Sequence, residues 1–96
     1  MGLLPLDGPA VYSNVTVTDT ASEVKVGGTV LIERKVVTIQ PIDGVVYFGY
    51  DNSVTTSNGT KIFKGQTYTI EAGDSLEVWV IADTGESVDV RITEVS

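Results

Sequence analysis

The feature that most constrains this chain is the alternation of β-branched and polar residues in short runs, separated by glycine, proline or asparagine. Branched side chains suit a pleated sheet better than a helix. Alternating runs between turn signals are typical of a sandwich or barrel, and no window carries apolar residues at helical spacing. The sequence therefore predicts an all-β domain.

The runs predict about seven or eight strands joined by tight turns. They are residues 11–18, 23–26, 29–40, 45–50, 61–64, 66–72, 75–82 and 87–95. The third is long enough for one bent strand or two, and it ends at Pro41, which cannot donate to a sheet ladder. We expect a single antiparallel β-sandwich or jelly roll over residues 11–96, preceded by an extended N-terminal arm over residues 1–10.

Two of the predicted strands indicate which of their faces must be buried. The last has the cleanest alternation, with Val88, Val90 and Ile92 on the inward face. Residues 45–50 are apolar on both faces, which is typical of a central strand covered twice. In a domain of 96 residues, the second cover could come from another subunit.

Composition excludes several functions. The chain has no Cys and no His, which rules out disulfides and zinc sites built on thiolate or imidazole. Its formal charge of −7 disfavours nucleic-acid binding, and fits either simple solubility or a basic partner. No segment has the length of apolar sequence that a membrane span needs, and residues 1–10 lack the basic start of a signal peptide.

No catalytic constellation is present in the sequence, so we expect neither an enzyme nor a cofactor. Nucleophilic catalysis needs a base beside the nucleophile, usually a histidine. The carboxylates are spread over strands and turns, where a solvated face is a better interpretation than a glycosidase pair. Asp51-Asn52-Ser53 could offer oxygen ligands to calcium but lacks the later acidic positions of a calcium loop, so a turn role is favoured.

Two sets of residues are candidates for an interface. The apolar arm has no sheet to join, and it could pack on its own domain or reach a neighbouring chain. The aromatic residues could be core, a sugar-stacking platform or an interface. The candidate interface residues are Leu3, Leu4, Pro5, Leu6, Tyr47, Phe48, Tyr50 and Trp79.

A dispersed set of residues between positions 34 and 94 carries a family resemblance. The set is Arg34, Ile39, Val46, Tyr47, Gly49, Asp51, Val54, Thr55, Asn58, Gly59, Gly65, Gly73, Asp89, Val90, Arg91 and Glu94. In this arrangement the chain resembles small β-structured virion proteins of tailed bacteriophages. The resemblance covers about two-thirds of the chain and contains no single sharp motif.

The resemblance implies a virion structural protein, most often a capsid decoration (cement) protein. Such a protein is made in the bacterial host cytoplasm and binds the major capsid protein on the outer surface of the shell; we expect a homotrimer. Two alternatives stay open, a head–tail connector or tail component, and a carbohydrate-binding or receptor-binding module. The first thirty-odd residues contribute nothing to the resemblance.

Overall fold

The computed structural model of the chain describes residues 8–96, which fold into eight β-strands without a helix. The all-β prediction is confirmed. The strands are β1 (Ala10–Val17), β2 (Ser22–Glu23), β3 (Val36–Pro41), β4 (Val46–Gly49), β5 (Thr60–Ile62), β6 (Tyr68–Ile70), β7 (Trp79–Ala82) and β8 (Val88–Val95). The described residues include no helix long and apolar enough to cross a bilayer.

The strands form two antiparallel sheets of four. The first sheet has the order β1-β8-β3-β6 and the second has the order β2-β7-β4-β5. Pairing is nested along the chain: the first strand pairs with the last, the second with the seventh, the third with the sixth, and the fourth with the fifth. Each sheet therefore combines strands from both halves of the chain.

The core lies between the two sheets, in a sandwich-like arrangement. Alternate residues of each strand point inward, and Val88, Val90 and Ile92 of β8 are all buried, as their alternation predicts. Both sheets contribute to one apolar cluster: Val17, Val24, Val37, Ile39, Val46, Phe48, Ile62, Ile70, Ala72, Val78, Val80, Ala82, Val88, Val90 and Ile92. Branched aliphatic side chains supply most of this burial.

The prediction of strand over residues 29–40 is wrong in its first half. The chain forms a loop before β3 begins at Val36, and β3 ends at Pro41 as predicted. Glu33 has a φ of 59°, which an extended strand cannot contain. Its backbone N–H donates to a carboxylate oxygen of Asp74, 2.8 Å away. This contact joins residues 41 positions apart in the sequence. It bends the chain at a point where the local sequence pattern favours an extended strand.

Strands β6 and β7 are shorter than the runs 66–72 and 75–82 predict. Between them, the backbone curls around the guanidinium of Arg34, which donates to the carbonyl oxygens of Ala72, Gly73 and Leu76. A backbone that directs three nearby carbonyls at one cation cannot continue as a sheet ladder. The buried arginine therefore explains why β6 ends at Ile70 and why β7 begins only at Trp79.

The start of the described chain is fastened to its end. Gly8 N–H donates to the Ser96 carbonyl and Ser96 N–H donates to the Pro9 carbonyl, both at 3.0 Å. Strand β1 begins at Ala10, so the last residues of the predicted arm already belong to the sheet or its margin. Four predicted interface residues lie outside the described residues: Leu3, Leu4, Pro5 and Leu6.

Candidate interaction surfaces

Of the predicted interface aromatics, Phe48 is a core residue. Its side chain is 4% exposed and faces inward from β4. The ring packs against Tyr68 at 5.0 Å between centroids, and edge-on against Tyr50 at 5.9 Å. Tyr50 lies just beyond β4 and is 55% exposed. Phe48 is therefore unavailable to a partner, whereas the Tyr50 ring is accessible.

Tyr47 and Trp79 share the outer face of the second sheet, where both are half-buried. Tyr47 of β4 lies opposite Ile81 of β7, and Gly49, two residues further along β4, lies opposite Trp79. Tyr47 and Trp79 are therefore diagonal neighbours on the same face. The Trp79 indole N–H donates to Glu77 at 2.8 Å. Trp79 lies opposite the buried face of β7, on a surface that is only partly covered.

The most constrained polar site is a buried ion pair between Arg34 and Glu94. Arg34 Nη1 lies 2.9 Å from Glu94 Oε2, and both side chains are fully buried. Nε and Nη2 of the guanidinium donate to the carbonyls at positions 72, 73 and 76, at 2.8–3.0 Å. Glu94 also accepts backbone N–H groups from Val26 at 2.8 Å and Leu31 at 3.3 Å.

This network joins three distant parts of the chain. Glu94 belongs to β8, Arg34 to the loop before β3, and the carbonyls to the turn between β6 and β7. A buried charge is costly unless it is paired and hydrogen-bonded, and here both partners are. Both charged groups are engaged in hydrogen bonds that hold these three segments together, so the arrangement is a structural clasp.

An apolar groove of about 480 Å³ lies at the end of the molecule closed by this clasp. It is bounded by the N-terminal start of the described chain, the loop before β3 and the C-terminal residue. Ile32, 79% exposed, stands at its margin. The groove is lined by Pro9, Val11, Val26, Thr29, Val30, Leu31, Ile32, Glu33, Glu94 and Ser96.

A second, more polar groove of about 590 Å³ crosses the outer face of the first sheet. Tyr12, 81% exposed, stands on β1 at its side. Asn14 of β1 faces Arg91 of β8, and Arg91 in turn faces Gln40 of β3, so three hydrogen-bonding side chains form one row. The surface combines an accessible aromatic ring with polar side chains.

The loop at residues 51–59 is made of local turns, as its sequence predicts. Asp51 accepts the backbone N–H of Ser53 at 2.9 Å as well as its hydroxyl, and Asn58 accepts the N–H of Thr55 at 2.7 Å. The bonds from Ser53 lower the pKa of Asp51 below its usual value of 3.8. Within residues 8–96 there is no group of three carboxylates that could hold a metal.

A scan against protein-family models and searches of curated proteins and of solved structures find no match to this chain. Residues 8–96 present three candidate features: the buried clasp, the apolar groove and the polar platform beside Tyr12. Sequence reasoning missed the exposure of Ile32, which lies within a predicted strand. It also missed the clasp, although Glu94 shares the inward parity of Val90 and Ile92, a detectable signal for a buried carboxylate.

Proposed function

We propose that this chain is a structural protein of a tailed-bacteriophage virion, and specifically a capsid decoration protein. The observation that carries the proposal is the nested strand order. Eight strands in two sheets, paired from the outermost inward, support the jelly-roll interpretation, and jelly rolls are recurrent in viral capsid and lectin domains. The inference from fold to function is one of analogy, and the family resemblance between positions 34 and 94 adds to it.

The groove end of the molecule is the best candidate for attachment to the shell. Gly8 lies at this end, and the sequence of the seven residues that precede it includes three leucines and a proline. The groove at this end is largely apolar, and Ile32 is exposed at its margin. Apolar surface that is costly to leave in water is a common basis for a docking site. The partner is the major capsid protein, contacted on the outer surface of the shell.

Copy number tests the position in the virion. Quantitative mass spectrometry of purified particles should find this chain in numbers comparable to the major capsid protein. A handful of copies per particle would instead indicate a head–tail connector or tail component. Complete absence from the particle would contradict the virion proposal.

Binding of variants to assembled shells tests the attachment surface. Ile32→Asp should weaken binding at least about tenfold, because it places a charge in an apolar contact. Leu76→Asp is the control, since Leu76 is an exposed aliphatic residue that does not line the groove. A variant lacking residues 1–7 should also bind more weakly; deletion must stop there because Ala10 begins β1. Unchanged binding of both groove-end variants would contradict this attachment surface.

A second candidate function is carbohydrate binding, and the Tyr12 platform is the observation that favours it. Sugar rings stack on accessible aromatic faces and accept hydrogen bonds from neighbouring polar side chains. Arg91 and Asn14 would serve as those partners. Loss of glycan affinity on Tyr12→Ala, with retention on Trp79→Ala, would support it; no binding to any glycan in a broad array would exclude it.

A further inference from the structure

The two sheets have four edge strands, and three of them are very short. Strands β2, β5 and β6 contain two or three residues each, whereas β1 contains eight. Short length is one way in which proteins protect a sheet edge; charged side chains, proline and bulges are others. The sequence of β1, AVYSNVTV, has neither charge nor proline, and its register with β8 runs without a bulge. Within residues 8–96, β1 therefore has none of these protections.

Hydrogen bonds at its start show which backbone groups of β1 face outward. In an antiparallel pair, alternate residues direct their N–H and C=O groups at the partner strand. Ser96 N–H donates to the Pro9 carbonyl, so Pro9 and every second residue after it face β8. Tyr12, Asn14 and Thr16 consequently direct their N–H and C=O groups away from the sheet. No strand within residues 8–96 pairs with that edge.

Hydrogen bonds on the β3 side of β8 independently indicate the same alternation of inward-facing and outward-facing backbone groups in β1. Ile42 N–H donates to the Asp89 carbonyl at 2.8 Å, so Asp89 faces β3. Its neighbours Val88 and Val90 therefore face β1, where their register partners are Val17 and Val15. The odd-numbered residues of β1 are thus bonded within the sheet, and the even-numbered ones are available to another strand.

We propose that the outer edge of β1 is an interface with a second copy of this chain. The two β1 strands pair antiparallel about a two-fold axis at Ser13, so that Tyr12 of one copy lies opposite Asn14 of the other. The first sheets of both copies then join into one sheet of eight strands. In such a pair, every outward N–H meets an outward C=O of the same strand in the other copy. One isologous contact closes both edges at once.

The absence of charge favours a second copy over a charged peptide as the occupant. The chain carries a net charge of −7, so two copies repel through most surfaces. Along β1 no like charges would meet, and a charged peptide would find no countercharge on that strand. This assembly goes beyond the proposed function, and its two-fold symmetry differs from the trimer that the family resemblance implies.

Proline substitution at an outward position provides the sharpest test. Asn14→Pro removes an outward N–H and no hydrogen bond of the sheet, and proline is tolerated at such edge positions. Thr69→Pro is the matched control on β6, because Gly65 donates to Pro41 on that side of β3 and the alternation turns Thr69 outward. Each variant is compared with the full-length chain by sedimentation equilibrium and by thermal melting.

The full-length chain should approach twice the monomer mass of 10.2 kDa with rising concentration. Asn14→Pro should weaken this dimer at least about tenfold, because two backbone hydrogen bonds are lost and a ring is forced between the strands. Thr69→Pro should leave the dimer unchanged. If Asn14→Pro melts well below the parent, Asn14→Lys replaces it, since it places two like charges near the axis without altering the backbone.

Cross-linking tests the geometry independently. The chain has no cysteine, so Ser13→Cys introduces a single thiol beside the two-fold axis. Opposed residues of antiparallel strands lie about 4.5–5.5 Å apart, within disulfide range. Mild oxidation should link Ser13→Cys into dimers far faster than Ser57→Cys, an exposed control in the loop 51–59.

Several results would overturn the proposal. They are a full-length chain that stays monomeric throughout its soluble range, a trimer, or a dimer that resists both changes at Asn14. Equal cross-linking of the two cysteine variants would also contradict it. Deletion of residues 1–7 should preserve the dimer; if it abolishes the dimer, the contact belongs to that segment and the assignment to β1 fails.

Discussion

The two longest connections between strands, residues 24–35 and residues 50–59, are held in different ways. The first depends on the clasp, in which Glu94 accepts N–H groups from the loop and pairs with Arg34. The bonds to Glu94 span 60–68 residues along the chain, and those from Arg34 to the carbonyls at 72–76 span 38–42. The second depends on hydrogen bonds between residues two or three positions apart, from Asp51 to Asn58.

The two loops differ in the solvent exposure of their hydrogen bonds as well as in the sequence separation of the bonded residues. The clasp is fully buried, where a broken bond leaves a charge without water to compensate it. The turns of the second loop are exposed, and water replaces a lost bond at small cost. The first loop should therefore fail abruptly when one residue changes, and the second should weaken by small steps.

Removing one partner of the clasp should have the largest effect. Arg34→Met leaves the Glu94 carboxylate buried without its cation and should cost about 3–5 kcal/mol of the free energy of unfolding. Urea denaturation followed by Trp79 fluorescence measures it. A loss below about 1 kcal/mol would mean that the carboxylate reaches water and that the clasp does not hold the loop.

Arg91→Met is the matched control for that substitution. Arg91 pairs with Asp89 at 3.3 Å on an exposed surface, where ion pairs contribute about 0–1 kcal/mol. The double variant Arg34→Met/Glu94→Met sharpens the comparison further. Its loss should be smaller than the sum of the two single losses, because no charge then remains unpaired.

Overpacking the second loop should have the next largest effect. A Cβ at Gly59 would lie 2.9 Å from side-chain atoms of both Tyr47 and Val54. Gly59→Ala should therefore cost about 1–3 kcal/mol in the same unfolding experiment. Gly28→Ala in the first loop is the control, because nothing lies within 4 Å of its Cβ position. Equal losses at the two glycines would contradict the close packing around Val54.

Removing a turn bond should have a smaller effect. Asn58→Ala deletes the acceptor of the Thr55 N–H at an exposed site, and should cost about 0.5–1.5 kcal/mol. The exposed neighbour Asn52, changed to alanine, is the control and should be nearly neutral. A loss as large as that of Arg34→Met would remove the distinction between the two loops.

The smallest effect concerns the ionisation of Asp51. Ser53→Ala removes the hydroxyl donor and should raise the pKa of Asp51 toward 3.8, while the backbone donor remains. Because the folded pKa is lowered, the stabilisation from Asp51 is present above the unfolded pKa and is lost as pH falls through the folded value. NMR titration of the Asp51 carboxyl checks the direction; an unchanged midpoint would show that the hydroxyl does not set it.

The same contrast explains what the sequence could predict. Turn chemistry is local, so the roles of Asp51 and Asn58 follow from their residue types, and Pro41 ends its strand for a reason internal to proline. Alternation likewise placed the buried side of β8. The path of residues 24–35 depends on a carboxylate 60 positions away from Arg34, and no local pattern specifies that partner.

The interface residues show a similar limit. Alternation assigns Tyr47 and Phe48 to opposite faces of β4, but it does not tell which face meets the other sheet. Only packing buries Phe48 beneath Tyr68 and leaves Tyr47 half-buried outside. Ile32 is exposed because a turn replaces the predicted strand at this position. The local sequence pattern therefore could not predict its exposure.

Nested pairing also sets the order in which the sheets can assemble. Closing β4 onto β5 joins Phe48 to Thr60, whereas closing β1 onto β8 joins Ala10 to Val95. Distant closures cost more chain entropy and slow folding. We therefore expect folding to progress outward from the β4–β5 hairpin, with backbone amides of β1 the last to gain protection in pulsed hydrogen exchange. A chain halted before that step would leave the β1-facing edge of β8 unpaired, which is a hazard for aggregation during folding.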